Sequence, residues 1–400
     1  MVNKIIVCQI GTRHRYLIPQ ILYKNNMLYR LYTDTTVYSF IGRILKRLSK
    51  FSMFSKMNKR IPNLPVDKIY SSDAFMLKQV VYSLWKSHIK KYWYSRYTGI
   101  QKACFRWGIG EADCIYSMFV ENADFLLHAK KKGLKIGFDM YEAANTNHYL
   151  IQEIENNADY ELYNYLIPNY KLSDAVKTEL IEPLLAVADF YTVPSLFVAK
   201  SMEEYKNFDS SKVRIVPYAS SITVDKYDYR PVKHRLIWVG NEPVRKGLLY
   251  CAKAATILKK TYADLDFRII GKVDDKLKKQ GTFRDLNFMG VLGKDALMEE
   301  FKTAEAYVFP TLFEGFAGTV IEAASCGCPI ITTECAGTDI NAFPAIYIEP
   351  KSVEDIVKAV KSIFEDKSLR NDLSLKVYNY AKVLSPQSYE ERLINVLSKL

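Results

Sequence analysis

Acidic side chains are almost missing from the first quarter of this 400-residue chain. Residues 1–110 hold 20 Lys and Arg against 3 Asp and Glu, while the other 290 residues hold 36 against 41. Such asymmetry points to an anionic partner for the first quarter, a membrane surface or a nucleic acid. The basic helical faces carry no recognisable nucleic-acid module, which argues against the second. Long apolar runs are also lacking. None approaches the roughly 18–20 residues that a membrane-spanning helix needs. Met1–Ile5 leads straight into a strand-like segment without a signal-peptide layout, so a cytoplasmic protein is expected. Seven cysteines, an odd and scattered set with one close pair at Cys326 and Cys328, exclude a disulfide framework and fit a reducing compartment. Histidine is scarce, with five in all, and no His/Cys grouping suggests a metal, so metal-independent chemistry is expected. No Gly-x-Gly-x-x-Gly follows a strand, since Gly108-Ile109-Gly110 precedes one, which disfavours a dinucleotide enzyme.

What is present is ample apolar material, 49% of residues, enough for two cores in a chain of this length. Apolar β-rich runs alternate with helical patterns, predicting parallel sheets wrapped by helices. Strands are expected at Ile5–Ile10, Met27–Tyr32, Ala112–Met118, Leu134–Asp139, Phe190–Val193 and Val213–Pro217. Long helical stretches fall at Asp73–Trp107 and Ile151–Val187. A second set of strands runs through Leu236–Gly240, Asp266–Gly271, Asn287–Met289, Ala306–Phe309, Cys328–Thr332 and Ala345–Ile348. The polar segment Val224–Lys233, with Pro231, reads as the linker. The resulting division is residues 1–226, residues 227–383, and a C-terminal helix at 384–400 that could pack back on the first domain. Two doubly wound α/β domains leave a cleft at the carboxyl ends of their strands.

The most informative segment is Phe309–Ala324. A strand ends, Glu314 stands in the loop, glycines lead into a helix, and Glu322 follows eight positions later. Small residues, free amides and a helix dipole suit a diphosphate, and Glu322, four residues after Gly318, can face the same ligand. The bland alternative is a capped helix with Glu322 solvated.

This segment resembles the E-x7-E element of retaining glycosyltransferases of family 4. Ser325–Thr332, Ala188–Ser195, Val213–Tyr218, and Val239-Gly240 followed by Lys246-Gly247 resemble further segments, in family order over roughly residues 180–390. The resemblance implies the GT-B fold, two Rossmann-like domains facing across a cleft, with the donor site in the second. It implies sugar transfer with retention from a nucleoside-diphosphate sugar, UDP or GDP, and no bound cofactor. Glu322 would hold the ribose, Glu314 would contact the sugar, and Lys246 would neutralise the leaving phosphate. Amides from Phe316, Ala317, Gly318 and Thr319 would meet the diphosphate and sugar. Gly271 would let phosphate or ribose approach, and Met289 to Val291 would cradle the base. The family's usual arginine is replaced by Asn241, which can hydrogen-bond phosphate but brings no charge. Arg245 is the nearby substitute, or a solvated helix-start residue.

In the first domain the glycine-rich loop is reduced to Gly11–Tyr16. Arg13 and Arg15 there could bind phosphate or simply open a basic helix. At the end of the expected fourth strand, where relatives carry a histidine, Asp139, Glu142 and His148 are available to orient an acceptor. Asp139 joins Glu314 and Lys246 as a candidate catalytic group. Ile41–Phe54 places Ile41, Ile44, Leu45, Leu48, Phe51 and Phe54 on one helical face, with basic residues elsewhere. That face suits either the core or an anionic membrane surface. The expectation is therefore a peripheral enzyme at the cytoplasmic membrane face, acting on a glycan or lipid-linked acceptor. The rivals are a sugar-nucleotide epimerase or phosphorylase on the same fold, and a basic nucleic-acid-binding protein.

Overall fold

The computed structural model describes residues 3–50, 57–73, 99–220, 222, 224 and 226–399. The strands β1 (Ile5–Gln9), β2 (Leu28–Asp34), β3 (Ile69–Ser72), β4 (Cys114–Ser117), β5 (Lys135–Asp139), β6 (Phe190–Val193) and β7 (Val213–Ile215) form one sheet, ordered β3-β2-β1-β4-β5-β6-β7. A second sheet contains β8 (Arg235–Val239), β9 (Asp266–Ile270), β10 (Asn287–Gly290), β11 (Ala306–Phe309), β12 (Ile330–Thr332) and β13 (Ile346–Tyr347), ordered β10-β9-β8-β11-β12-β13. All their pairings are parallel. The expected doubly wound α/β architecture is what the chain adopts.

The near-continuous apolar runs have a direct cause. Successive side chains of a strand point to opposite faces, and both faces of each sheet are covered. Ile6 and Cys8 enter one core, Ile5 and Val7 the other. In β8, Leu236 and Trp238 lie on one face, Ile237 and Val239 on the other.

The strand order reverses between β1 and β4 in one sheet and between β8 and β11 in the other. Crevices for ligands form outside the carboxyl ends of strands at such points. The loops at those positions are 10–16 and 118–122 in the first sheet, 240–247 and 310–317 in the second.

Three expectations change. The Ile151–Val187 stretch is not one helix: Thr146–Glu155 ends at Asn156-Asn157, a 3-10 segment covers Ala158–Leu166, and Pro168 in a first turn starts Ile167–Val187. β3 was not anticipated, because Ile69–Ser72 is short and only half-buried. The basic amphipathic helix spans Phe40–Arg47, with Ser39 Oγ capping it through the Gly42 amide; residues 51–56, including Phe51 and Phe54, and most of the Asp73–Trp107 stretch lie outside the described residues.

Each half also lends a segment to the other's core. Leu150, Ile154, Tyr160 and Tyr163 are buried with Leu236, Trp238 and Leu249 of the second domain. Tyr160 Oη donates to Pro243 O at 3.1 Å and accepts from the Leu249 amide at 3.1 Å. In return, the helix Pro386–Ser398 buries Tyr389, Leu393 and Leu397 against Ile5, Val7 and Tyr116. Their i, i+4, i+8 spacing forms one stripe, and each buried side chain contributes about 1.5–3 kcal/mol.

Candidate functional site

At the β8/β11 crevice, Arg245, Lys246 and Glu314 converge. Glu314 Oε1 lies 2.6 Å from Arg245 Nη1 and 3.6 Å from Lys246 Nζ. All three side chains are largely buried, at 12–18% exposure. The two loops are laced together by backbone: the Leu312 amide donates to Arg245 O at 2.8 Å, and Arg245 Nη1 donates to Phe313 O at 2.7 Å. Trp238 Nε1, from the strand, holds Lys246 O at 3.0 Å. Burial pushes the Lys246 ammonium below its ordinary range, opposed by the Glu314 charge. One carboxylate oxygen, Glu314 Oε1, thus lies against both cations, nearer Arg245 than Lys246.

The helix Gly318–Ser325 starts next to this cluster and carries Glu322, half-buried, in its second turn. Thr319 Oγ1 is hydrogen-bonded to Tyr307 Oη at 2.9 Å. The Ala317 amide is not available to a ligand, because it donates to Ala336 O at 2.9 Å. Asn241 is engaged locally, its Oδ1 accepting from the Lys272 amide at 2.7 Å and so tying the ends of β8 and β9. Gly271, at φ 130°, is required by that same join, since a Cβ there would collide with Gly240 O. Met289 and Val291 stand exposed around the end of β10.

At the β1/β4 crevice, Asp139 ends β5 with only 3% exposure. Thr192 Oγ1 donates to it at 3.2 Å, Tyr218 Oη lies 3.4 Å from each carboxylate oxygen, and Arg13 Nη1 is 3.9 Å away. Burial raises the Asp139 pKa, and these partners counter it. Arg13 stacks on Tyr141, 3.1 Å from the ring centroid, and donates to Met118 O at 3.3 Å. His14 packs on Tyr218 at 4.2 Å between ring centroids. Solvent reaches His14, yet protein hems it in; that crowding and the adjacent Arg13 push its imidazole down to about 4. His14, Arg15 and Tyr16 all have positive φ, so the loop makes its turn through three residues that disfavour that conformation. Gly11 begins it, its amide donating to Asp34 Oδ1 at 3.0 Å, and Arg15 points to solvent.

The two crevices face each other. Ser195 Oγ donates to Gly315 O at 2.7 Å, and a Cβ on Gly315 would collide with Tyr141 O, so only glycine permits this approach. Phe313 stacks on Tyr149 at 4.8 Å, and Phe316 meets Tyr218 edge-on at 5.9 Å. The Glu314 loop is thereby set against the Asp139 pocket.

Glu142 and His148 are not gathered there. Glu142 pairs with Lys177 at 2.9 Å, and His148 Nε2 contacts Gln152 at 3.1 Å on an exposed helix face. Their side chains take these other partners although the backbone stays close to the second domain: a Cβ on Gly315 would lie 3.6 Å from Glu142 Cα, and Tyr149, next to His148, is the ring that stacks on Phe313. The one Asp-x-Asp triplet in the chain, Asp264–Asp266, lies at the opposite end of β9 from the crevice. There His234, Arg235, Arg268 and Asn287 engage its carboxylates. Among the described residues, no group of three or more His, Cys, Asp or Glu is arranged to hold a metal. Nor, among them, is any helix long and apolar enough to cross a membrane.

Residues 233–366 match the family Glycosyl transferases group 1. The matched stretch contains Arg245, Lys246, Glu314 and Glu322. A glycogen synthase of Mycobacterium tuberculosis (strain CDC 1551 / Oshkosh) is 27% identical over 140 residues, 33% of this chain and 34% of that protein. The N,N'-diacetylbacillosaminyl-diphospho-undecaprenol alpha-1,3-N-acetylgalactosaminyltransferase of Campylobacter jejuni is 24% identical over 159 residues, 38% of this chain and 40% of that protein. The chain thus spans about a third of the length of the first of these relatives. Whole-chain similarity is structural: the sucrose-phosphate synthase of Thermosynechococcus elongatus aligns over 99% of this chain and 98% of its own, with TM-score 0.64 and 12% identity. Together with the two parallel-sheet domains, this establishes the GT-B fold.

In the matched segment, paired cations and helix amides are groups that can hold phosphate, and carboxylates are groups that can hold hydroxyls. The pocket opposite is built from residues that sequence reasoning mostly missed: Tyr116, Thr192, Tyr218 and the Phe316 ring. Tyr218 had a signal, because it closes the Val213–Tyr218 segment, but nothing marked its hydroxyl as a partner for Asp139.

Proposed function

We propose that this chain is a retaining, metal-independent glycosyltransferase of the family 4 kind, moving a sugar from a UDP- or GDP-sugar to a glycan or lipid-linked acceptor. The observation that carries this reading is the meeting of Arg245, Lys246 and Glu314 beside the start of the Glu322 helix, directly across from the Asp139 pocket. Glu322 binds the ribose, Glu314 the sugar, and the amides of Phe316, Gly318 and Thr319 face the diphosphate, the Ala317 amide being occupied. Lys246 and Arg245 stabilise the phosphate as it leaves, Arg245 supplying the charge that Asn241 lacks. Asp139, with Arg13 beside it, orients the acceptor. Such a site works by holding two substrates in register and stabilising the leaving group.

A lipid-linked acceptor is supported by the Campylobacter relative, whose name specifies an undecaprenol diphosphate substrate. It is also supported by the Phe40–Arg47 helix, which leaves Phe40 77%, Ile44 46% and Leu48 37% exposed beside Arg43, Lys46 and Arg47. An apolar stripe flanked by cations suits the anionic face of the cytoplasmic membrane.

The test is a thermal-shift panel of UDP-, GDP-, ADP- and CMP-sugars, followed by product analysis with a glycan-lipid acceptor. A donor that binds the native state raises Tm by mass action, and one of the first two should do so. Product should need both substrates and keep the donor's anomeric configuration. Turnover of donor alone to an isomer would make the chain an epimerase, and no shift with any of the four would overturn the donor site.

A further inference from the structure

Arg245 and Lys246 are largely buried cations, and a buried charge without a counter-ion is strongly disfavoured. Arg245 has three anchors: Glu242, Phe313 O and Glu314. Lys246 is poorer. Its described ammonium contacts are Glu314 Oε1 at 3.6 Å and the Phe309 ring at 5.0 Å. A single oxygen of Glu314 therefore serves both cations at once, close to Arg245 and a full ångström farther from Lys246. Lys246 is thus the less well neutralised of the two. The carboxylate also sits next to Gly315, in the loop that leads into the Gly318–Ser325 helix.

We infer that Glu314 is a resident counter-ion of the phosphate site, holding Arg245 and Lys246 until the donor's diphosphate displaces it and frees it to face the sugar. The inference rests on the donor-site reading above and adds a role that reading does not contain. A diphosphate brings more charge and more acceptor oxygens than one carboxylate, so the exchange runs forward when donor arrives. After transfer the sugar is gone, the carboxylate competes again for its cations, and the nucleoside diphosphate is expelled. Glu314 then limits product retention as well as contacting substrate.

The experiment is calorimetric titration of the full chain with UDP and with GDP, which carry no sugar. Loss of sugar contact cannot influence this measurement. E314Q keeps the shape and removes the competing charge. A charge within 4 Å of two partly buried cations is a large enough interaction that losing part of it changes affinity by about tenfold. E314Q should therefore bind the accepted nucleotide about tenfold tighter than the parent, and product inhibition should deepen to match. E242Q removes an equal charge from the outer side of Arg245, where Glu242 is 60% exposed. It should change affinity less than about threefold, because that charge is screened by water. Unchanged or weaker binding in E314Q overturns the inference while leaving the donor site intact. An equal gain in both variants overturns it too, assigning the effect to general charge. If neither UDP nor GDP binds the parent or E314Q, both the inference and the donor-site reading fall. Thermal melts of both variants verify the fold, and E314A provides a second removal of the charge if E314Q does not fold.

Discussion

The two sheets repeat one strand order around their switch points, β3-β2-β1-β4 and β10-β9-β8-β11, yet their crevices are furnished differently. The crevice of the second sheet is built from charge in two short stretches, Asn241–Lys246 and Glu314–Glu322. That of the first is built from single residues contributed by five places: Arg13, Tyr116, Asp139, Thr192 and Tyr218. The first kind of site stays readable in sequence because its parts are neighbours with fixed spacing. The second exists only after folding. A phosphate-binding crevice needs backbone amides, a helix start and small residues, which must be contiguous. A pocket that orients a hydroxyl needs only a few side chains pointing inward, and any strand end can supply them.

If that contrast is physical, the two crevices should fail differently when damaged. The largest loss is expected for Lys246→Ala. Removing a preorganised cation from the departing phosphate should lower kcat/KM by about two orders of magnitude or more, with the fold retained. Steady-state kinetics at several donor concentrations checks it. Arg245→Ala should follow closely, because Arg245 anchors Glu314 and Phe313 O and, on the proposed reading, supplies the second charge to the phosphate. Activity within about threefold of the parent in both variants would remove this crevice from the chemistry.

Glu322→Ala comes next. Charge-assisted bonds to a ribose are each worth about 1.5–3 kcal/mol, so the nucleoside diphosphate should bind about ten- to a hundredfold more weakly. Titration with UDP or GDP decides the matter, and parent-like affinity would place the ribose elsewhere.

The same contrast explains what the sequence made legible. The central strands of both sheets were readable because they are buried on two faces, leaving unbroken apolar runs such as Leu236–Val239. β3 was not, being half-buried and four residues long. The break at Asn156-Asn157 was missed because the apolar residues on both sides of it, Leu150 and Ile154 before and Tyr160 and Tyr163 after, are buried in the same core around Trp238, and the segment returns to its own domain's core only at Ile181–Leu185. Apolar periodicity records that a residue is buried, not against which domain. Glu314 and Glu322 were singled out from the loop-to-helix pattern, and Lys246 from the family resemblance; the structure brings Lys246 and Glu314 together. Glu142 and His148 were chosen through nearness to Asp139 in the chain, whereas their side chains engage Lys177 and Gln152.

The smallest expected effect, and the sharpest on the first crevice, belongs to Asp139→Asn. Burial raises the folded-state pKa of Asp139 above the usual 3.8. A carboxyl shifted in that direction penalises the folded state once it ionises. The penalty is absent below about pH 4, grows as pH rises through the raised folded value, and is complete above it. Asparagine has nearly the same shape and no charge to desolvate. Arg13 is not stranded by the change, because its contact with Asp139 is already long at 3.9 Å and it keeps Met118 O and the Tyr141 ring. The variant should therefore be as stable as the parent or more so, by about 1 kcal/mol at neutral pH, as is common when a functional site is relieved of an unfavourable group. The difference should shrink as pH falls toward 4, which denaturant unfolding at pH 7 and pH 4.5 can follow. Activity should drop through the acceptor's KM while nucleotide affinity stays unchanged, since Glu322 and Lys246 are untouched. A variant that is clearly less stable at pH 7 would mean that the Arg13–Asp139 pair holds the domain together. The first crevice would then be a structural knot, and the acceptor would have to be sought along the cleft nearer Phe316.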